Sequence, residues 1–345
     1  MELVPPWLEE RTLIVREEDE TDPRFGCDPW NRPLRDHIRF GLINLDKPPG
    51  PSSHEVVAWV KRILKVDKAG HGGTLDPKVT GVLPVALEDA TKAVKAFLLS
   101  GKEYVCLMQL HSETSVEALE NVMTEFTGEI YQLPPVKSSV KRALRRRIIY
   151  YIRLLDVEDG HALFRVACQA GTYIRKLCYD MGEALGVGAH MRELRRIRSG
   201  PFHVDEGLSL MEDVANAQYE YEEYGDETAL RRMIKPVEEA FKHIPKIYVR
   251  DTAVDALCHG ALLAIPGILK FDSKIRRGSD VAVFTLKGEV VGMGRALMSA
   301  KEMLEARRGV AAEIHRVIMP PNTYPRSWRG RTRQNTYGGR LKPRG

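Results

Sequence analysis

Gly70-His71-Gly72-Gly73-Thr74-Leu75-Asp76-Pro77-Lys78-Val79-Thr80-Gly81-Val82-Leu83-Pro84-Val85 is the stretch from which the rest of the chain is read. Glycine admits backbone angles that other residues avoid, and proline fixes its own. The run is too broken for a helix interior or a central strand. It reads as a shaped loop that presents His71, Thr74 and, above all, Asp76. Ahead of it, Ser52 and Glu55 have the spacing of a capping box. Val56, Val57, Val60, Ile63 and Leu64 then recur at helical spacing. A helix thus delivers the chain into a rigid loop with one carboxylate in its middle. Taken alone, Asp before Pro is an ordinary turn signal; the neighbouring motifs give Asp76 its interest.

The chain has 345 residues, 43% hydrophobic and 29% charged, which is ordinary for a globular protein of two or three domains. It has no apolar run long enough to span a membrane and no signal-peptide pattern at its start, so a cytoplasmic location is expected. Cys27, Cys106, Cys168, Cys178 and Cys258 form no C-x-x-C pair, which argues against a zinc site or a disulfide framework. Net charge is only +5, but it is clustered. Lys137, Lys141, Arg142, Arg145, Arg146 and Arg147 occur without an intervening acid, and Arg326 to Arg344 is equally one-signed. Such patches are the footprint of a polyanion partner.

Residues 1–36 are proline-broken, acid-rich and without periodicity, and read as an arm. Phe40 to Leu45 and Tyr104 to Leu110 read as strands, and Thr91 to Leu99 and Glu113 to Phe126 as helices. Ile148 to Leu155 and Ala162 to Ala170 flank Asp159-Gly160, a hairpin signal. Gly171-Thr172 leads into a helix whose stripe is Ile174, Leu177, Cys178, Met181 and Leu185, with Gly186 as its stop. Arg175 lies off that stripe in the first turn, where the helix dipole does not favour a cation, and so points to an anionic partner. Arg192, Arg195, Arg196 and Arg198 suit phosphate contacts, and residues 209–243 read as mostly helical. A boundary falls near Ile244-Pro245. Beyond it, short strands alternate with small helices, one over Asp251 to His259 with Asp251 as N-cap, another capped by Ser299 and Glu302. This is the pattern of a compact β-rich domain.

Leu45 to Ser53, Gly70 to Pro77 with Thr80 to Pro84, Lys102-Glu103-Tyr104, and Gly171-Thr172-Tyr173-Ile174-Arg175-Lys176-Leu177 together resemble the ordered motifs of the pseudouridine synthases that include the bacterial tRNA enzyme. The last domain resembles a PUA RNA-binding module. Pro134-Pro135-Val136-Lys137-Ser138-Ser139, Ser199-Gly200-Pro201-Phe202, Ile234-Lys235-Pro236, Ala253 to Ala261, and Met319-Pro320 with Thr323-Tyr324-Pro325 are similar to the guide-dependent branch of that family, the archaeal box H/ACA enzymes and dyskerin. The resemblance implies an α+β fold: a catalytic domain with a mixed, largely antiparallel central sheet flanked by helices, plus a small β-barrel PUA domain. Boundaries follow at 1–36 (an arm packing on the PUA domain), 37–244 (catalytic), 245–321 (PUA) and 322–345 (basic tail).

It further implies guide-directed isomerisation of uridine to pseudouridine in rRNA, and also in tRNA, without metal or cofactor. Asp76 would act at the ribose, Arg175 would orient its carboxylate, and Tyr104 would stack on the base or assist proton transfer. His71, Tyr173, Lys47 and Leu177 would bind or brace the substrate site. Lys137 to Arg147 would clamp RNA, and His259, Gly260 and Ala261 would hold the guide's end. The implied partners are a box H/ACA guide RNA, substrate RNA, a small zinc-binding accessory protein, a second accessory protein for substrate loading, and a kink-turn-binding ribosomal protein; no membrane is involved. Leu133 departs from the arginine expected of this branch. The competing readings are a guide-independent tRNA enzyme, whose bacterial insertion is missing from Glu113 to Gly128, and a non-catalytic RNA scaffold, which would need none of Asp76, Tyr104, Tyr173 and Arg175.

Overall fold

The computed structural model describes residues 3–133 and 143–326. Lys137, Lys141, Arg142 and the tail from 327 onward lie outside the described residues. Two sheets organise the chain, one of ten strands and one of seven. In each, a single pair of neighbouring strands runs parallel and the others antiparallel. The fold is therefore α+β with a mixed, largely antiparallel central sheet.

The middle of the larger sheet runs Gly41–Lys47, Thr80–Leu87, Ala189–Ser199, Lys102–Leu110, His161–Cys168, Arg145–Glu158. Alternation in Lys102–Leu110 sends Tyr104, Cys106, Met108 and Leu110 to one face. There they meet Ile174, Leu177, Cys178 and Met181 of the Ile174–Leu185 helix, the stripe read from spacing. At the other end of the sheet, Ser53–Ile63 opens with both bonds of the Ser52/Glu55 capping box. It buries Val56, Val57 and Val60 against Leu45, Leu83 and Val85.

Several expectations are corrected. Thr80–Leu87 is a central strand, buried along nearly its whole length, and not loop. Burying a Val or Leu side chain is worth about 1.5–3 kcal/mol, against about 1 kcal/mol for one ladder bond, so several such residues outweigh the bond that Pro84 cannot make. The Pro84 carbonyl still accepts from the Gly72 N–H at 3.0 Å. The Gly72 carbonyl, lacking a proline donor, faces Ser199 Oγ at 3.5 Å. Arg145, Arg146 and Arg147, within the stretch expected to clamp RNA, open the Arg145–Glu158 strand and pair with Gly128–Gln132. Asp251 is not an N-cap: Arg250 occupies that position, and the Asp251 carboxylate accepts from the Thr21 hydroxyl (2.9 Å) and the Asp22 N–H (2.8 Å).

The smaller sheet surrounds a core of Ile247, Phe271, Val281, Val283, Val291 and Met303. The N-terminal arm adds Leu13–Val15 to its Ile268–Asp272 edge. Yet the arm also reaches the larger unit: Arg11 donates to the His243 carbonyl at 2.7 Å, and Trp7 lies against Tyr150 and Arg198. Arg32 forks onto Glu238 at 3.0 and 2.7 Å, and Glu238 accepts from the Val290 N–H at 3.0 Å. This pair joins the arm, the larger unit and the smaller sheet. No described helix is long and apolar enough to cross a membrane.

With side chains only 9% and 10% exposed, Arg32 and Glu238 are an ion pair in low dielectric. Removing one partner strands the other charge. Arg32→Met is expected to cost about 3 kcal/mol in urea unfolding; an unchanged midpoint contradicts the assigned role.

Candidate active site

The Asp76 loop is fastened from several elements at once. Ser53, fully buried at the start of its helix, accepts from the Leu75 N–H at 2.9 Å and donates to the Leu75 carbonyl at 3.2 Å. The Gly50 N–H reaches the Pro77 carbonyl at 2.9 Å, and the Val79 N–H reaches the Asp76 carbonyl at 3.0 Å. Lys47, at the end of the Gly41–Lys47 strand, is fully buried. Its ammonium donates to the carbonyls of Pro48 (2.8 Å), Pro77 (2.9 Å) and Val79 (3.0 Å). Arg196 donates to Gly73 (3.0 Å) and Val82 (2.7 Å). Bonds with charged donors are about twice as strong as neutral ones. Burial pulls both cations below their ordinary pKa range, and the Arg196 charge adds to the effect at Lys47. Leu75 and Val79 are buried on either side, which leaves Asp76 at the exposed tip.

Gly81 has no substitute at its position. Its φ is +102°, and a Cβ there would lie 2.1 Å from the Arg196 carbonyl. That close parallel crossing is what lets Arg196 reach both limbs of the loop.

Arg175 stands in the first turn of its helix, and its Nη2 donates to Asp76 Oδ2. Their side chains are 56% and 54% exposed. So open an ion pair adds little to stability; it is a charged, oriented carboxylate presented to whatever docks there. Below it, Tyr104 is buried with the Arg196 guanidinium against its hydroxyl, and burial pushes the phenol up. His71 meets His54 edge-to-face, with ring centroids 5.0 Å apart. Burial, with help from the His54 and Arg196 charges, brings the His71 pKa down to about 4. Its Nδ1 is buried without a hydrogen-bond partner. Tyr173 is the residue that precedes the Arg175 helix.

The structure brings Arg175 onto Asp76 at the tip of the loop, with Lys47 beneath it, while Tyr104 lies against Arg196, His71 against His54 and Tyr173 against Gln132. Leu177 does not join them: it is fully buried in the core under the helix, where it supports the site and cannot touch a ligand. The 192–198 arginines are also reassigned. Arg195 forks onto Asp46 at 3.0 and 2.7 Å, Arg198 pairs with Glu103 at 3.3 Å, and Arg196 is buried. Of the four, only Arg192 is exposed. Within the basic stretch, Arg146 pairs with Glu129 at 3.0 Å and Arg147 donates to the Gly171 carbonyl at 3.0 Å. His259, Gly260 and Ala261 form the turn after the Asp251–Cys258 helix, with the Arg326 guanidinium 3.4 Å from Asp255. No group of three or more His, Cys, Asp or Glu side chains converges to hold a metal among the described residues. Ser53 and Arg196 are loop-holding residues that the sequence reading did not assign; the small residue at a helix start and the Arg-Arg repeat were their only signals.

Comparison with known proteins gives matches across the chain. The family model "TruB family pseudouridylate synthase (N terminal domain)" matches residues 61–174, and "tRNA pseudouridylate synthase B C-terminal domain" matches 175–242. A PUA domain matches 245–318 and a DKCLD (NUC011) domain 4–57. The "Probable tRNA pseudouridine synthase B" of Methanopyrus kandleri is 55% identical over 94% of this chain and 95% of its own length. The Pyrococcus furiosus protein of the same name is 53% identical over 96% and 97%. Among solved structures, a chain of a Cbf5-Nop10-Gar1 complex is similar with a TM-score of 0.91, 53% identity and coverage of 94% and 99%. A chain of an H/ACA RNP bound to a substrate RNA containing 2'-deoxyuridine gives 0.89, 51%, 94% and 100%.

A histidine held at a pKa of about 4 stays neutral in the folded protein while the unfolded chain, at the ordinary 6.5, takes up its proton first. Stability is therefore present above about pH 6.5 and falls as pH drops toward 4. Replacing His71 with Gln is expected to make that part of the stability–pH curve shallower, with His243, which burial also holds at about 4, keeping its own share, measured as thermal midpoint against pH. A curve with the wild-type slope contradicts the buried, neutral His71.

Proposed function

The chain belongs to the TruB family of pseudouridylate synthases, and on that premise we propose that it isomerises uridines presented by a box H/ACA guide RNA, with Asp76 acting at the ribose and no cofactor taking part. The observation that carries the chemistry is the exposed Asp76–Arg175 pair on a loop fastened by buried cations. Isomerisation breaks the N1–C1′ bond, turns the uracil and joins C5 to C1′; the C5 proton is lost and N1 takes one up, so the product is an isomer of the substrate. Positive charge develops at the sugar as the first bond breaks. One carboxylate there can bond to C1′ or take the C2′ proton, in the manner of glycoside chemistry. A second acid is not needed when the detached uracil stays bound and is re-attached.

Arg175 orients the carboxylate through a charged hydrogen bond. Tyr104 would stack on the base or assist proton transfer at C5, Tyr173 would line the same pocket, and neutral His71 would help to hold the flipped nucleotide. The target base must leave its stack to enter. Base pairing with the guide supplies sequence choice, so the protein reads RNA shape and backbone. The His259–Ala261 turn would hold the guide's end. Nearly full-length similarity to chains solved in a Cbf5-Nop10-Gar1 complex and in an H/ACA RNP bound to substrate RNA supports protein and RNA partners of that kind here; the zinc-binding, substrate-loading and kink-turn-binding roles of those partners come from the sequence resemblance. The expected targets are rRNA and also tRNA. The relatives' name, tRNA pseudouridine synthase B, favours a second reading in which tRNA is modified without a guide.

Pseudouridine formation in a uridine-containing RNA, with purified protein and accessory partners, separates these readings. Product only with guide is expected; equal product on free tRNA contradicts guide dependence. Asp76→Asn is expected to abolish turnover with guide binding intact, and wild-type turnover would refute its role.

A further inference from the structure

Gln132 ends the Gly128–Gln132 strand and is 2% exposed, unusual for a polar side chain. Both ends of its amide are engaged. The carboxamide oxygen accepts from the Tyr173 N–H at 3.0 Å, and the carboxamide nitrogen donates to the Tyr173 carbonyl at 3.2 Å. Gln132 thus imitates a strand neighbour for one residue, the one that precedes the Arg175 helix. The same turn is fastened from the adjoining strand. Arg147 Nε donates to the Gly171 carbonyl at 3.0 Å, and the Gln169 N–H reaches the Ile148 carbonyl at 2.8 Å. Gly171 has φ of +80°, and a Cβ there would sit 3.0 Å from the Arg147 guanidinium. Side chains of two strands therefore fix where Tyr173 and Arg175 start.

We propose that Gln132 is a positioning residue for the reaction: by gripping both backbone polar groups of Tyr173 it sets the first turn from which Arg175 reaches Asp76. It touches neither the carboxylate nor Arg175 itself and acts through Tyr173. This rests on the reading of Asp76 and Arg175 as the reacting centre. Misplacing a catalytic group by a fraction of a bond length costs rate before it costs binding. Tyr173 as a residue is half-buried, and the bonds Gln169–Ile148 and Arg147–Gly171 still hold the turn when those of Gln132 are lost, so the fold is expected to survive.

The test uses the full chain with the RNA and partners that the wild type needs. Gln132→Leu removes both bonds; Gln132→Glu keeps the acceptor and loses the donor. At saturating RNA, Gln132→Leu is expected to slow single-turnover pseudouridine formation about tenfold, corresponding to roughly two weak hydrogen bonds. RNA affinity is expected to stay within about twofold by the same argument. Gln132→Glu is expected between Leu and wild type, and decides the matter if the Leu variant fails to fold. In an Arg175→Lys background, Gln132→Leu is expected to add little, because both act on one pair. A wild-type rate, a loss confined to RNA affinity, or a loss that multiplies fully with Arg175→Lys overturns the proposal. Asp76→Asn, measured alongside, separates the two failures: full turnover there removes the reading of the site, whereas lost turnover there with a wild-type Gln132→Leu removes only this inference.

Discussion

Lys47 and Arg196 direct charged N–H groups onto the carbonyls of Pro77, Val79, Gly73 and Val82, the backbone on either side of Asp76. The placement of Asp76 depends on that arrangement. From Gly73 to Val79 the glycine- and proline-broken loop has no ladder of its own, and buried backbone carbonyls need donors from elsewhere. Two desolvated cations supply the donors. Each would be costly to bury alone, and each is made tolerable by the carbonyls it satisfies. The result is a rigid support with a single carboxylate at the tip, open to solvent.

The two sheets serve this loop differently. The larger one delivers the site: Gly41–Lys47 brings Lys47, Ala189–Ser199 brings Arg196, Lys102–Leu110 brings Tyr104, and the helix packed on that face brings Arg175. The smaller one adjoins the Arg32–Glu238 pair through Val290 and carries the His259–Ala261 turn. The arm binds both units, so their relation is set by buried contacts and not by a bare linker. The cavity of about 260 Å³ at that junction is lined by Arg32, Glu238 and Glu289 and stands apart from the Asp76 site.

Legibility followed distance along the chain. The Ser52/Glu55 cap, the Ile174–Leu185 stripe and its Gly186 stop are local patterns, and they stand as read. Asp76, Arg175, Tyr104 and Tyr173 could be named together because their motifs are short and contiguous. Pairings between distant residues could not be read. Arg195–Asp46, Arg196–Gly73 and Gln132–Tyr173 unite separate elements, and nothing in the local spacing of those arginines separates an internal partner from a phosphate. Pro84 misled for the opposite reason: a local rule against proline in central strands yielded to the burial of Val82, Leu83, Val85 and Leu87 around it. Leu177 sits in a motif with site residues, yet helical phase turns it inward to the core.

The most direct measurement is the single-turnover rate of pseudouridine formation by Lys47→Met at saturating RNA, with RNA affinity and thermal midpoint recorded on the same protein. If the buried ammonium holds Asp76 in place, the rate falls at least about tenfold while RNA affinity is kept, since a displaced carboxylate loses catalysis before binding. A folded Lys47→Met protein that converts uridine at the wild-type rate would contradict the account.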